Sequence, residues 1–382
     1  MSEKDFFTKQ TEQSEIKTEI VHEYFWIWSH IIANHLRKKG NYKIGYADLF
    51  AGRGRYKDGS KSTPLIILET AIQHSEFSQT LATFFNDKKI KNCQNLEKEI
   101  NDLLDVDILK HQPVITNFEV DDNLIEWIRK KINFPCLFFL DPCGYKGLSL
   151  NLIQFILKGF GCDCIFFFNY LWINQHLENP VMTNNMNAFF GKARAEKLRE
   201  ELVEKSIEDR QNLIISSLKE ALAEHGGTYS IDYCFTKNDG NRTSHFLIFT
   251  SKHPAGLKKM TEVMGRKSSG KTEGVPSFSF NPKEKDKEKI QTLFDLYDSP
   301  IDKLADSLLN DFAGQNLTVK QIYYTHGLTG RENKYVLKNY QDALRKLEEE
   351  GKIITKPSAN ERRKIDRVVT FGQNVLVAFP KN

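Results

Sequence analysis

Two runs in this chain carry almost no polar side chain. Residues 136–140 read Cys-Leu-Phe-Phe-Leu, and residues 164–170 open Cys-Ile-Phe-Phe-Phe. A strand this apolar needs cover on both faces, which is the situation of a parallel strand between two helix layers. Strands expected at 42–50, 81–85, 113–120, 136–140 and 164–170 alternate with helices at 64–72, 91–104, 124–132 and 150–158. That alternation predicts an α/β fold, a doubly wound sheet with helices on both faces.

Other segments fill in around this frame. Ile16, Ile20, Tyr24, Trp26, Trp28, Ile31, Ile32 and Leu36 recur at helical spacing and predict an amphipathic helix over 16–40. Residues 184–225 read as a charge-rich helical insertion, and 228–236 with 244–250 as a hairpin at the sheet edge. A short helix is expected at 257–264 and a Gly-, Ser- and Lys-rich loop at 266–282. The tail reads as helices at 302–312, 318–325 and 334–350, then strands at 353–356 and 368–379 flanking a basic loop, a winged helix-turn-helix. The expected organisation is a helical segment 1–40, a Rossmann-like domain 41–280, a linker 281–300 and a winged-helix domain 301–382.

Composition excludes several classes. No apolar run approaches the roughly 18 residues of a membrane span, and the polar first 15 residues are not a signal peptide. Six cysteines, mostly in apolar runs, read as reduced core thiols. Cys162 and Cys164, one residue apart, have poor zinc spacing. A cytoplasmic protein with no disulfide framework and no metal site is expected.

Three strand ends carry the candidate chemistry. Asp48-Leu49-Phe50-Ala51-Gly52-Arg53-Gly54 follows the first strand, where glycines let the backbone approach a ligand and Asp48 can accept bonds from a cationic group. Tyr56-Lys57 stand where a dinucleotide fingerprint would place its third glycine, so a dinucleotide site is disfavoured. Asp87 closes the second strand, placed to hold a ribose diol. Asp121 or Asp122 repeats the placement one strand on, within reach of an adenine amine. Asp141-Pro142-Cys143-Gly144-Tyr145 ends the apolar strand at 136–140. Pro142 makes that turn rigid, so Asp141 and a carbonyl can be aimed at one amine, with Tyr145 available to stack on a planar base. Asn169 and Asn174 are secondary candidates that can equally cap a turn, and His245 reads as a structural histidine.

Asp48 to Gly54 resembles the first motif of Rossmann-type S-adenosylmethionine methyltransferases, of class I architecture. Asp141-Pro142-Cys143-Gly144 is similar to the D/N-P-P-Y motif of amino-methyltransferases, and closer to the D-P-F-G of tRNA guanine-N2 methyltransferases; Cys143 departs from the usual aromatic or proline. Over most of its length the chain resembles the three-Cys-motif partner family, through residues 46–56, Thr63-Pro64-Leu65, Leu140 to Gly144, Phe168-Asn169-Tyr170, His245-Phe246 and Gly256 to Met260. The resemblance to the methyltransferase motifs implies S-adenosylmethionine as cofactor, held by Asp48, Phe50, Ala51, Gly52, Gly54, Asp87 and Asp121. It implies amine methylation through Asp141, Pro142, Gly144, Tyr145 and Asn169. The resemblance to the three-Cys-motif partner family implies a protein partner bearing a three-cysteine, radical-enzyme-like motif and does not itself settle a substrate.

Charge points to the substrate. Residues 315–382 hold 13 basic and 7 acidic residues, a net +6, so the other 314 carry −2 of the chain's +4. Lys334, Lys338 and Arg345 fall on one helix face, and Arg362, Arg363, Lys364 and Arg367 in or beside the wing, as a phosphate-binding surface would. The expected substrate is a nucleic-acid base amine, RNA favoured over DNA. A protein or small-molecule acceptor, or a non-catalytic binding module, are the alternatives.

Overall fold

Backbone pairing around the first strand sets the architecture. In this computed structural model, residues 10–40, 42–142, 147–237, 240, 242–284, 299–329, 334–365 and 368–381 are described. The chain divides into two compact units, residues 1–237 with 241–257, and 238–240 with 258–382. The expected linker 281–300 falls largely on residues 285–298, outside the described residues.

In the first unit, β1 (Ile44–Asp48), β2 (Leu81–Asn86), β3 (Val114–Thr116), β4 (Cys136–Leu140), β5 (Asp163–Phe168), β6 (Tyr229–Thr236) and β7 (Thr243–Ser251) line up in the order β6-β7-β5-β4-β1-β2-β3. Strands β1 to β5 pair in parallel. Strand β7 runs antiparallel to both β5 and β6. The hairpin therefore enters the sheet by its second strand, with β6 outside it. This is a mostly parallel Rossmann-type sheet with helices, and every residue of β1, β2 and β4 is buried. Residues 113–120 yield a much shorter strand than expected, because Asn86 captures Phe118 with side-chain bonds that replace ladder pairing.

The helix Glu12–Leu36 starts at Thr11, whose side chain accepts from the Ser14 N–H. It buries Ile20, Val21, Tyr24, Phe25, Trp28 and Leu36, and Phe25 meets Tyr46 of β1 edge-on at 5.6 Å. Ile31, expected on the buried stripe, is 43% exposed, and Lys17 is on it. Tyr24 donates to Asp163 at the start of β5 (2.6 Å), tying this helix to the far end of the sheet. Burial pushes Asp163 up to about 6, while its bonds to Ser251 and Tyr24 hold it down. Residues 184–225 are helical as expected, in helices Thr183–Phe190, Lys192–Glu201 and Ile207–Glu224.

The second unit contains the winged helix. Helices Pro300–Asp311 and Leu337–Glu349 pack together, and Val319–Ile322 runs on into a π-helical turn, Tyr323–Leu328. Strands Asn316–Thr318, Leu376–Ala378 and Ile354–Lys356 form an antiparallel sheet, with Leu376–Ala378 in the middle. The wing is the pair Lys364–Ile365 and Val368–Val369. Residues 266–282, expected as a loop, form the short strands Lys271–Thr272, Val275–Pro276 and Ser279–Phe280.

Replacing Tyr24 by Phe leaves a buried carboxylate short of a donor. The variant should lose about 1–3 kcal/mol of stability in urea denaturation; an unchanged midpoint would show that the bond contributes nothing.

Candidate active site at the carboxyl edge of the sheet

Register brings the expected strand-end acids together. Asp48 pairs with Phe85 of β2 on one side and Phe139 of β4 on the other. Asp87 and Asp141 are each two residues further on, so they flank Asp48 on strands about 4.8 Å apart. The glycine turn lies between them. Gly52 and Gly54 have φ of +69° and +88°, the left-handed region that favours glycine. A Cβ on Gly54 would also crowd Leu96 and Glu99, at 3.1 and 3.2 Å.

Asp87 accepts from the N–H of Gly52 (3.1 Å), from Asn92 (3.1 Å) and from the N–H of Lys89 (2.8 Å), which fixes its carboxylate against the turn. Ala51 donates its N–H to the carbonyl of Asn86 (2.9 Å). Asp48 accepts from the Phe50 N–H (3.0 Å), the one hydrogen bond its carboxylate makes among the described residues. Burial, reinforced by the Asp141 carboxylate, pushes Asp48 up to about 8 against the pull of the Phe50 N–H and Lys17. A buried carboxyl with an unused oxygen is suited to a cationic group, whose arrival would release its proton.

Among the described residues, Asp141 caps no helix. It is ion-paired with Lys17 of the N-terminal helix, whose side chain is 10% exposed. Lys17 also lies 5.4 Å from the centroid of the Phe167 ring. The ring of His245 is packed between Phe167 (4.5 Å) and Phe235 (4.6 Å), and its Nδ1 shares a hydrogen bond with Ser244 (2.6 Å). Burial, then the Lys17 charge, pushes His245 down to about 3, so it is neutral here.

Two other expected residues serve as helix caps. Asp121 accepts from the N–H groups of Asn123 and Leu124, at 2.9 and 3.3 Å, and its carboxylate is thereby spent locally. Asn169 accepts from the Trp172 N–H at 3.2 Å. Asn174 accepts from Arg210 at 3.0 Å. Pro142 is buried beside Asp141, while Gly144 and Tyr145 lie outside the described residues. Two site residues were missed by sequence reading. Asn86 is 2% exposed and clamps Leu49, Thr116 and Phe118 together; its neighbour Asp87 drew the attention. Lys17 precedes Val21, Tyr24 and Trp28 by 4, 7 and 11 residues, so a charge on the buried stripe was the available signal. A groove of about 550 Å³ between helices Asp122–Lys131 and Leu150–Lys158 includes none of Asp48, Asp87 and Asp141.

The basic surface of the winged helix is smaller than its sequence promises. Arg362 is 8% exposed, ion-paired with Glu348 and stacked 4.3 Å from the Phe371 ring centroid. Arg345 donates to Asp342 and to the Val369 carbonyl, and Lys338 pairs with Asp342 at 2.8 Å. Lys334, Arg363 and Lys364 are exposed, whereas Arg367 lies outside the described residues.

Residues 279–360 match the family model described as the GMT-like wHTH domain. A comparison with curated proteins finds no match. Among solved structures, a Legionella pneumophila protein is similar at 9% identity and a TM-score of 0.37, over 65% of this chain and 92% of that one. An S-adenosylmethionine-dependent methyltransferase from Agrobacterium tumefaciens is similar at 11% and 0.33, over 62% of each chain. Trm1 from Pyrococcus horikoshii, solved with S-adenosyl-L-methionine, is similar at 11% and 0.34, over 69% of this chain and 61% of that one. The chain thus spans less than two thirds of the length of the last two.

Two predictions test these environments. Folded Asp48 retains a proton that the unfolded chain releases near pH 4, so stability falls as pH rises from about 4 to about 8 and then levels off. Asp48→Asn should remove that slope and gain on the order of 1–3 kcal/mol over wild type at about pH 8, with a smaller gain at about pH 5, in urea titrations. Parallel curves would place Asp48 in a polar setting. Separately, Arg362→Ala should cost about 3–5 kcal/mol by stranding Glu348, while Arg363→Ala should stay within about 0.5 kcal/mol. Equal losses in thermal or urea unfolding would contradict the buried role of Arg362.

Proposed function

We propose that this protein is an S-adenosylmethionine-dependent methyltransferase acting on an amine, the fuller form of the methyltransferase likeness noted above. The observation that carries the reading is the convergence of Asp48, Asp87 and Asp141 around a glycine turn on three adjacent strands.

The residues present fit the cofactor. Asp48 has an oxygen available to a cationic group, Gly52 and Gly54 admit close backbone approach, and Asp87 lies against the turn where a ribose diol would be held. When bound, S-adenosylmethionine supplies an electrophilic methyl group. The protein's task is then to position the acceptor nitrogen and manage its protons. Asp141 can accept an amine N–H, and the Pro142 carbonyl can take a second, drawing a delocalised nitrogen toward tetrahedral geometry. Proline supplies no competing N–H there and limits turn motion. The neutral His245 adds no charge near the acceptor.

For the acceptor, a base amine in RNA is the favoured class. The GMT-like wHTH match and the exposed Lys334, Arg363 and Lys364 support it. An unpaired or flipped base would be required, since the amine is out of reach inside a duplex. The engagement of Lys338, Arg345 and Arg362 with acids supports a second reading, a protein or small-molecule acceptor. Resemblance to the three-Cys-motif partner family adds a companion protein with a three-cysteine motif, and a cytoplasmic setting accords with the reduced thiols. No helix of the described residues is long and apolar enough to cross a membrane.

Calorimetry and a methyl-transfer assay on RNA, DNA and protein extracts test this. Asp48→Ala should lose S-adenosylmethionine binding. Asp141→Ala should keep it and slow transfer by roughly 10²–10³-fold. Mass spectrometry of nucleosides and peptides names the acceptor, and wild-type protein that binds no S-adenosylmethionine sinks the proposal.

A further inference from the structure

The ion pair between Lys17 and Asp141 sets a primary ammonium on the carboxylate that the proposed function reserves for the acceptor amine. The pairing is nearly enclosed, with side-chain exposures of 10% and 22%. Its surroundings suit a small cation. The Phe167 ring centroid lies 5.4 Å from the Lys17 nitrogen, and Asp48 adds a second carboxyl nearby. Lys17 comes from the second turn of a helix that packs over β1 and belongs to no strand end. On the same helix, Ser14 bonds the Tyr56 hydroxyl at 2.8 Å, joining this end of the helix to the loop that follows the glycine turn.

We propose that Lys17 is an internal occupant of the acceptor seat, which an incoming amine must displace from Asp141. The inference rests on reading Asp141 as that seat. Lys17 occupies Oδ2 of Asp141 in a nearly enclosed site, so an acceptor that comes to the same oxygen competes with it. Only the fraction of molecules with Lys17 withdrawn binds the acceptor at its intrinsic affinity, and the apparent affinity falls by that fraction. Lys17 thereby acts as a positioning and selectivity residue. It pairs with Asp141 while the site is empty and disfavours groups that bring no N–H donor to that carboxylate, such as a thioether. Withdrawal of Lys17 also loosens the first turns of the helix, coupling acceptor entry to the Tyr56 loop.

The test uses the full chain and n-butylammonium as probe, with n-butanol as its neutral isostere. Nuclear magnetic resonance titration should show tighter n-butylammonium binding to Lys17→Met than to wild type, by about fivefold or more. Lys17→Arg should keep wild-type affinity, and Asp141→Asn should lose the response. In wild type, amide hydrogen exchange of residues 12–20 should rise with n-butylammonium and stay unchanged with n-butanol. This second readout stands even if Lys17→Met folds poorly. Equal or weaker binding to Lys17→Met, or unchanged exchange at residues 12–20, overturns the proposal. S-adenosylmethionine binding is measured separately. If it is absent while the n-butylammonium results hold, the methyltransferase reading fails and the displaceable lysine stands. If it is present while those results fail, Lys17 is a fixed structural counter-ion.

Discussion

The central position of β1 governs this protein. Hydrogen-bonded to β2 on one side and β4 on the other, it ends in Asp48 with Asp87 and Asp141 on the flanking strand ends. Parallel strands all deliver their carboxyl termini to the same edge, so acids far apart in sequence become neighbours. A shift of one residue in either pairing would turn these side chains to opposite faces. Complete burial of β1 and β4 makes such a shift expensive, because it would disturb packing on both covered faces of the sheet.

That convergence creates an electrostatic problem which the N-terminal helix meets. Asp48 responds to burial and to Asp141 by holding its proton, and Asp141 is ion-paired with Lys17. Asp87 is satisfied differently, by two backbone N–H groups and Asn92. Three similar carboxyls thus occupy three states: neutral with a spare oxygen, paired with a cation, and anchored to backbone. Such differentiation suits a ligand that brings both cationic and hydroxyl groups.

The winged helix illustrates the gap between composition and surface. Its +6 charge is a property of residues 315–382, yet Arg362 serves the interior, where Glu348 and Phe371 hold it. Asp342 serves both Lys338 and Arg345 on one helix. Counting charges by segment overstates what phosphates would meet, because acids three and four residues away on a helix are immediate neighbours.

Much of this was legible before any coordinates. The apolar run at 136–140 marks β4 to the residue, since continuous burial leaves an unbroken signal, and the helically spaced apolar residues of 150–158 mark the helix Leu150–Lys158. The glycine turn after Asp48 was equally plain, as was the winged helix. Local chemistry also misled: Asp121 sits at a strand end in sequence terms but caps the next helix, because an acid just before a helix finds free N–H groups nearer than any ligand. What the amino-acid order alone determined, then, was the alternation of elements, the burial of the strands and the acids at their ends, all of which follow from neighbours close along the chain. The partners of those acids were decided by tertiary structure alone. Lys17 and Asp141 are 124 residues apart, and only the path of the N-terminal helix over the sheet brings that ammonium to that carboxylate.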